Sequence, residues 1–294
     1  MVMDIEIALN VTTAILFMGV LGLLLSSMLV FANKKLWVFE DPRIDELEGM
    51  LPATNCGACG NAGCRPFAEA LISGEVTPAQ CTVSSADVIQ DIADYLGVDS
   101  GDVVKRVARL ACAGGNHVAR MRAHYKGLES CRAAAVVAGG PKSCTWGCIG
   151  LADCAEVCDF DAIAMDHNGL PVVDAGKCTA CGDCVDICPK DLFSIHGVDQ
   201  RLWVACKNLE HGDTAENDCE VACTACERCV KDSPEGLITI QENLAVIDYS
   251  KNSLASPIAT ERCPTGAIVW LDDAMGAVKG NKAKRIVRKE ALPI

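Results

Sequence analysis

One reactive residue type dominates the chain: there are 20 cysteines in 294 residues. Most stand in short-spaced groups, several of them C-x-x-C and two followed by proline, and not at the loose spacings of a disulfide scaffold. Thiolates set a few residues apart on a curling backbone can converge on one metal centre, and four of them match a [4Fe–4S] cluster. The first such group is Cys56-x2-Cys59-x4-Cys64, completed by Cys81. Gly57, Gly60 and Gly63 let this loop wrap a large ligand, because glycine reaches positive φ without strain. A zinc ion held by the same four cysteines is the alternative, although zinc usually takes two paired knuckles.

The run Cys178-x2-Cys181-x2-Cys184-x3-Cys188-Pro189 has the spacing of bacterial ferredoxins, in which the fourth cysteine ligates the other cluster of a pair. The partner half is Cys144-x3-Cys148-x5-Cys154-x3-Cys158. Its usual middle position is Leu151, which cannot ligate, so Cys144 is the natural replacement. One cluster is expected at Cys144, Cys148, Cys154 and Cys188, and another at Cys158, Cys178, Cys181 and Cys184.

This unit occurs twice. A shift of 75 residues carries Cys131 to Cys206, Cys144 to Cys219, Cys148 to Cys223, Cys154 to Cys229 and Cys188-Pro189 to Cys263-Pro264. The second copy keeps Cys223, Cys226, Cys229 and Cys263, which are expected to hold a fourth cluster. Its other site is gone: Ser233 replaces the counterpart of Cys158, and no cysteine lies between Asn252 and Ala259. Losing all four ligands of one site and none of the other supports the crossed assignment. Cys112, Cys131, Cys206 and Cys219 remain, either as small buried hydrophobes or as a further metal or redox site. Cys219 could also compete with Cys226 for its cluster.

The segment Ala8–Ala32 is apolar and uncharged, long enough to span a bilayer. Asp4 and Glu6 precede it and Lys34 and Lys35 follow, which places the cysteine domains in the cytoplasm, where thiols stay reduced. Ser84 or Ser85 caps a helix through Val88, Ile92 and Leu96, and Gly74 closes one that begins near Pro66. Val103, Val104, Val107 and Leu110 suggest another helix. The fold class is α+β, divided as 1–33 membrane anchor, 34–100 small helical [4Fe–4S] domain, 101–143 helical connector, 144–200 two-cluster ferredoxin-like module, 201–275 degenerate one-cluster module and 276–294 basic tail.

A net charge of −13 makes nucleic acid a poor partner. Two basic groups interrupt it. Lys105, Arg106, Arg109, Arg120, Arg122 and Lys126 lie between cysteine groups, either as a solvated helix face or as a docking surface for an acidic partner. Lys279, Lys282, Lys284, Arg285, Arg288 and Lys289 make a tail suited to solvent, lipid headgroups or an acidic subunit. No G-x-G-x-x-G after a strand, P-loop or H-E-x-x-H occurs, the five histidines form no ligand motif, and no flavin or nicotinamide site is expected. No catalytic pocket is expected either: the profile is that of an electron conduit.

The phrases DPRIDELEGMLPATNCGACGNAGC, CRAAAVVAGGPKSC, GCIGLADCAEVCDFDAI and CTACGDCVDICP, in this order behind a membrane helix, resemble the B subunit of Rnf-type ion-translocating ferredoxin:NAD oxidoreductase complexes. The resemblance covers nearly the whole chain and departs from the family at Asp159, where proline often follows the cysteine, and near Ser233. It implies a translocase subunit that takes electrons from soluble ferredoxin and relays them through [4Fe–4S] clusters to flavin-bearing partner subunits and NAD, coupled to sodium or proton transport.

Overall fold

A computed structural model of the protein describes residues 2–36, 40–101, 104–273, 275–288 and 290–292, with side chains of the first helix from Thr12 onward. Val103 and Lys289, and the side chains of Asp4 and Glu6, lie outside the described residues. The first helix, α1 (Val2–Leu36), carries the span Thr12–Leu36 of 25 residues, within which an 18-residue window has a mean hydropathy of 2.5. Its described side chains stand exposed on all sides, Leu23 at 73%. An apolar helix without a protein partner suits lipid, and at the α-helical rise it reaches about 37 Å, beyond the ~30 Å hydrocarbon core.

Next come three helices, α2 (Arg43–Met50), α3 (Cys64–Ser73) and α4 (Ala86–Leu96). Leu47, Phe67, Leu71 and Ile92 form their buried core. Gly74, left-handed at φ 75°, ends α3, and the Ser85 hydroxyl accepts the Val88 amide at the start of α4.

Beyond residue 104 the chain is two copies of one small unit. The first pairs β1 (Arg106–Leu110) with β4 (Phe193–Gly197) and β2 (Ile163–Met165) with β3 (Pro171–Val173), with the one-turn helices α6 (Asp153–Glu156) and α7 (Asp183–Asp186) between; α5 (Cys131–Val136) precedes them. The second copy joins β5 (Leu202–Val204), β8 (Ile268–Asp272) and β9 (Gly276–Lys279) in one sheet and pairs β6 (Ile238–Gln241) with β7 (Leu244–Ile247). It also contains α8 (Gly212–Asp218) and α9 (Arg228–Lys231), and a 3-10 helix at Pro257–Thr260 takes the place of α7. The shift of 75 residues carries α6 onto α9, β2 onto β6 and β4 onto β8. The backbone repeats too: left-handed residues recur at Ala152 and Glu227, Asp161 and Gly236, and Asp191 and Gly266.

Two expectations need correction. Residues 101–143 are not a helical connector: Val107 and Leu110 lie in β1, which pairs antiparallel with β4 from Arg106 opposite Gly197 to Leu110 opposite Phe193. Apolar residues three apart fit a helix, but the distant partner strand decides the conformation. The sequence shift also matched Cys131 with Cys206, whereas the strands match Cys112 with Cys206. Leu110 faces Phe193 as Val204 faces Ile268, and the next amides, of Ala111 and Ala205, each donate to a carbonyl (Leu192, Ala267) at 2.8 Å. Cys112 and Cys206 each follow one residue later.

Gly150 illustrates how tightly the cysteine loops are folded: at φ 85°, an added Cβ would lie 2.6 Å from the Gly169 carbonyl oxygen. Gly182, at φ 102°, has open space there. Gly182→Ala should cost about 1 kcal/mol, the left-handed penalty alone, and Gly150→Ala clearly more. Thermal loss of the visible chromophore should therefore come earlier for Gly150→Ala; the reverse order would contradict the packing.

Candidate metal centres

Each of the helices α6, α7 and α9 carries a cysteine at its second residue: Cys154, Cys184 and Cys229. The residue before each helix is left-handed (Ala152, Gly182, Glu227), which reverses the chain so that the preceding loop cysteines face the same space. Three voids of similar size result, open at their mouths. Cys158, Cys178, Cys181 and Cys184 line one of about 330 Å³, walled by Ala108, Phe160 and Ile163. Cys223, Cys226, Cys229 and Cys263 line another of about 360 Å³. Cys148, Cys154 and Cys188 share a third, of about 340 Å³, and its fourth sulfur is Cys131.

Cys144 is not in that void. It lines a different one, with Cys112, Cys206 and Cys219. Cys131 takes the expected place because Asp153, next to Cys154, anchors the start of α5. Its carboxylate accepts the Cys131 amide at 2.8 Å, the Ser130 hydroxyl at 2.9 Å and the Arg132 amide at 3.2 Å. Burial raises the Asp153 pKa, but these donors more than offset that and hold the carboxyl below its usual value. Sequence spacing favoured Cys144 because it is nearer in the chain; a three-donor cap across 22 residues leaves no spacing signature.

The first group lies in the helical domain. Cys64 and Cys81 are buried in its core, Cys59 packs against it, and Cys56 is half-buried. Asn55 Oδ1 accepts the Cys64 amide at 2.8 Å, and the Ser84 hydroxyl donates to Cys81 Sγ at 3.1 Å. This domain docks on the first ferredoxin-like unit beside its cysteines. Thr82 Oγ1 donates to the Thr179 carbonyl at 2.6 Å, and the Arg106 guanidinium donates to the Ala58 carbonyl at 2.9 Å.

Among the described residues, no three His, Cys, Asp or Glu side chains converge closely enough for a single metal ion. The sulfurs surround space instead, which suits a polynuclear cluster better than zinc. All 20 cysteines are free of disulfides. Burial pushes the thiols of Cys148, Cys154, Cys184 and Cys229 up to about 12, with neighbouring cysteines adding to the shift. Such groups are thiols at neutral pH until a metal displaces the proton.

The basic residues are less available than the sequence suggests. Arg109 is half-buried and donates to the carbonyls of Gly197 and Val198, Arg122 to those of Ala138 and Gly140, and Lys105 to that of Gly176. Arg120 and Lys126 stand exposed. The tail folds back: Lys279 is in β9, the Lys284 amide donates to Pro264, Arg288 pairs with Glu220 at 3.3 Å, and the Leu292 amide donates to Asn116.

Repeated four-cysteine cradles on one-turn helices define an iron–sulfur protein of the ferredoxin-like kind, and the comparisons agree. Residues 51–83 match the family model of a putative Fe-S cluster domain, and residues 170–197 that of a 4Fe-4S binding domain. The chain is 39% identical to the B subunit of the Na(+)-translocating ferredoxin:NAD(+) oxidoreductase complex of Acetobacterium woodii, over 85% of this chain and 75% of that one. It is 36% identical to the B subunit of the proton-translocating ferredoxin:NAD(+) oxidoreductase complex of Clostridium ljungdahlii, over 88% and 92%, and 34% identical to the B subunit of an ion-translocating oxidoreductase complex of Methanosarcina acetivorans, over 84% and 94%. The chain belongs to this family, the B subunits of Rnf-type ion-translocating oxidoreductase complexes.

The thiol ionisations set a pH dependence. A raised pKa keeps the apo protein protonated through neutrality, so binding iron and sulfide must expel protons. Loading the apo chain at pH 7 should release about one proton from each of Cys148, Cys154, Cys184 and Cys229, beyond those that hydrosulfide gives up, and the release should shrink as pH approaches about 12. Titration in weak buffer measures it; no release at pH 7 would show that the thiols were already ionised.

Proposed function

We propose that this chain is the electron-entry subunit of an Rnf complex, taking electrons one at a time from soluble reduced ferredoxin and passing them to flavin-bearing subunits and finally NAD, with sodium or proton transport driven elsewhere in the assembly. The names of its relatives' complexes support ferredoxin as donor and the other Rnf subunits as partners. Lys34 and Lys35 at the C-terminal end of α1 support a cytoplasmic location for the cluster domains.

The observation that carries this reading is the set of four-thiol cradles, three of which adjoin one another. We assign [4Fe–4S] clusters to Cys56, Cys59, Cys64 and Cys81; to Cys131, Cys148, Cys154 and Cys188; to Cys158, Cys178, Cys181 and Cys184; and to Cys223, Cys226, Cys229 and Cys263. The Thr82–Thr179 hydrogen bond joins the peptide after Cys81 to the peptide after Cys178, so the first and third centres adjoin. The second and third interlock, since Cys154 and Cys158 lie one turn apart and serve different voids, as do Cys184 and Cys188. When bound, each cluster supplies a one-electron couple. The chain holds the sulfurs, excludes water and aims amides at them, as the Ala108 amide does at Cys178 Sγ, 3.4 Å away.

Cys188→Ala should remove one ligand from the second centre and leave the third with all four of its own. EPR of the reduced protein should lose or alter one signal; loss of the Cys178 centre instead would refute the crossed assignment.

Ferredoxin docking tests the function itself. Arg120 and Lys126 are exposed, and the other cations of the central basic group bind loop carbonyls, so charge reversal at these two should slow ferredoxin-driven cluster reduction several-fold at low salt and flatten its ionic-strength dependence. Stopped-flow reduction at unchanged iron content measures this. Wild-type reduction by small chemical reductants but none by ferredoxin would end the electron-entry reading.

A further inference from the structure

A fourth void of the same kind lies between the two ferredoxin-like units. It spans about 340 Å³, open at its mouth like the other three, and is lined by Cys112, Cys144, Cys206 and Cys219. Its other walls are small or apolar, among them Ala111, Gly114, Gly147 and Ala205. The space is reserved for the sulfurs: a Cβ on Gly114 would lie 3.1 Å from Cys219 Sγ and 3.6 Å from Cys112 Sγ.

The four cysteines are two related pairs, one from each unit. Cys112 and Cys206 hold the same position after β1 and β5, and Cys144 and Cys219 are partners under the 75-residue shift. Their surroundings repeat as well. Cys112 Sγ accepts the amides of Gly114 at 3.4 Å and Cys148 at 3.5 Å; Cys206 Sγ accepts those of Asn208 at 3.4 Å and Cys223 at 3.3 Å. Four cysteines kept only as small hydrophobes would need neither amides aimed at sulfur nor a shared void.

Two polar groups add to this. Asn208 lines the void at 1% exposure, and its Nδ2 is buried with no hydrogen-bond partner, a donor left for a ligand in the space. Lys142, 3% exposed, donates from Nζ to the Gly114 carbonyl at 2.7 Å, placing a cation behind the cysteines. Anionic thiolates around a cluster would be balanced by it.

We infer that Cys112, Cys144, Cys206 and Cys219 hold a fifth [4Fe–4S] cluster, which links the second centre to the fourth. The link on each side is one residue and one hydrogen bond. Cys148 gives its sulfur to the second void and its amide to Cys112; Cys223 gives its sulfur to the fourth centre and its amide to Cys206. The centres then form one line in the order first, third, second, fifth, fourth. Each transfer along it moves one electron, the donor cluster being oxidised as its neighbour is reduced, with no bond made and no proton required.

The inference rests on the cluster-bearing reading of the other four sets, and the experiment separates the two. Anaerobic native mass spectrometry of the full chain in detergent counts intact clusters directly, and iron and sulfide assays check the count. The unmodified chain should carry five clusters, about twenty irons at four per set of four cysteines. Cys112→Ala combined with Cys206→Ala should carry four, with the EPR signals of the remaining centres retained. Four clusters in the unmodified chain, five in the double variant, or a zinc ion in place of the fifth cluster would each overturn the inference while leaving the other centres in place. Fewer than four in the unmodified chain would instead undo the broader reading. The count on the unmodified chain stands even if the variant fails to fold.

Discussion

The structure depends on sulfur atoms being held four at a time around a space. The secondary structure is too sparse to stand alone: α6, α7 and α9 are four residues each, and β2, β3 and β5 are three. Isolated two-stranded pairs of this length are marginal in water, and aromatic residues make up only 4% of the chain. The buried clusters of apolar residues are built around the cysteines: Cys154, Cys178 and Cys184 sit among Val107, Ile163 and Phe193, and Cys223, Cys229 and Cys263 among Leu202, Leu237 and Ile268. Metal binding is then folding free energy, because the unfolded chain offers no preformed cradle.

That constraint explains the backbone. A loop that turns four sulfurs inward must reverse direction within a few residues, which places left-handed conformations at Ala152, Gly182 and Glu227 despite the cost to the two residues with a Cβ. Amides elsewhere are aimed at sulfur, that of Ala108 at Cys178 and those of Asn208 and Cys223 at Cys206. Hydrogen bonds of this kind stabilise the more negative, reduced state of a cluster and are among the means by which a protein sets its potential.

Charge is arranged to the same end. The chain is acidic overall, yet cations stand beside the voids: Lys142 is buried behind the central one, and Lys190 lines the second and donates to the Thr145 carbonyl at 2.7 Å. Lys279 is pulled below its usual pKa by burial, against the opposing influence of Cys263 and Cys219. Several arginines meanwhile spend their donors on loop carbonyls, as Arg106 does at Ala58 and Arg109 at Gly197. Basic residues in this protein therefore serve cohesion as much as surface potential.

The sequence alone was sufficient for whatever is local or periodic. The apolar helix, the C-x-x-C loops, the glycine and serine helix boundaries and the 75-residue repeat are all short-range patterns, and each is legible because its residues act on near neighbours. Tertiary structure decided what depends on pairing across distance. Val107 and Leu110 became strand because β4 lies beside them, and Cys131 replaced Cys144 in the second void because Asp153 draws the start of α5 to it. The kinship of Cys112 with Cys206 was hidden because the connection to the next cysteine differs in length between the two copies, so no single offset aligns both. Only the strand registers restore that match, since hydrogen bonding between strands fixes which residues face one another regardless of how much chain intervenes.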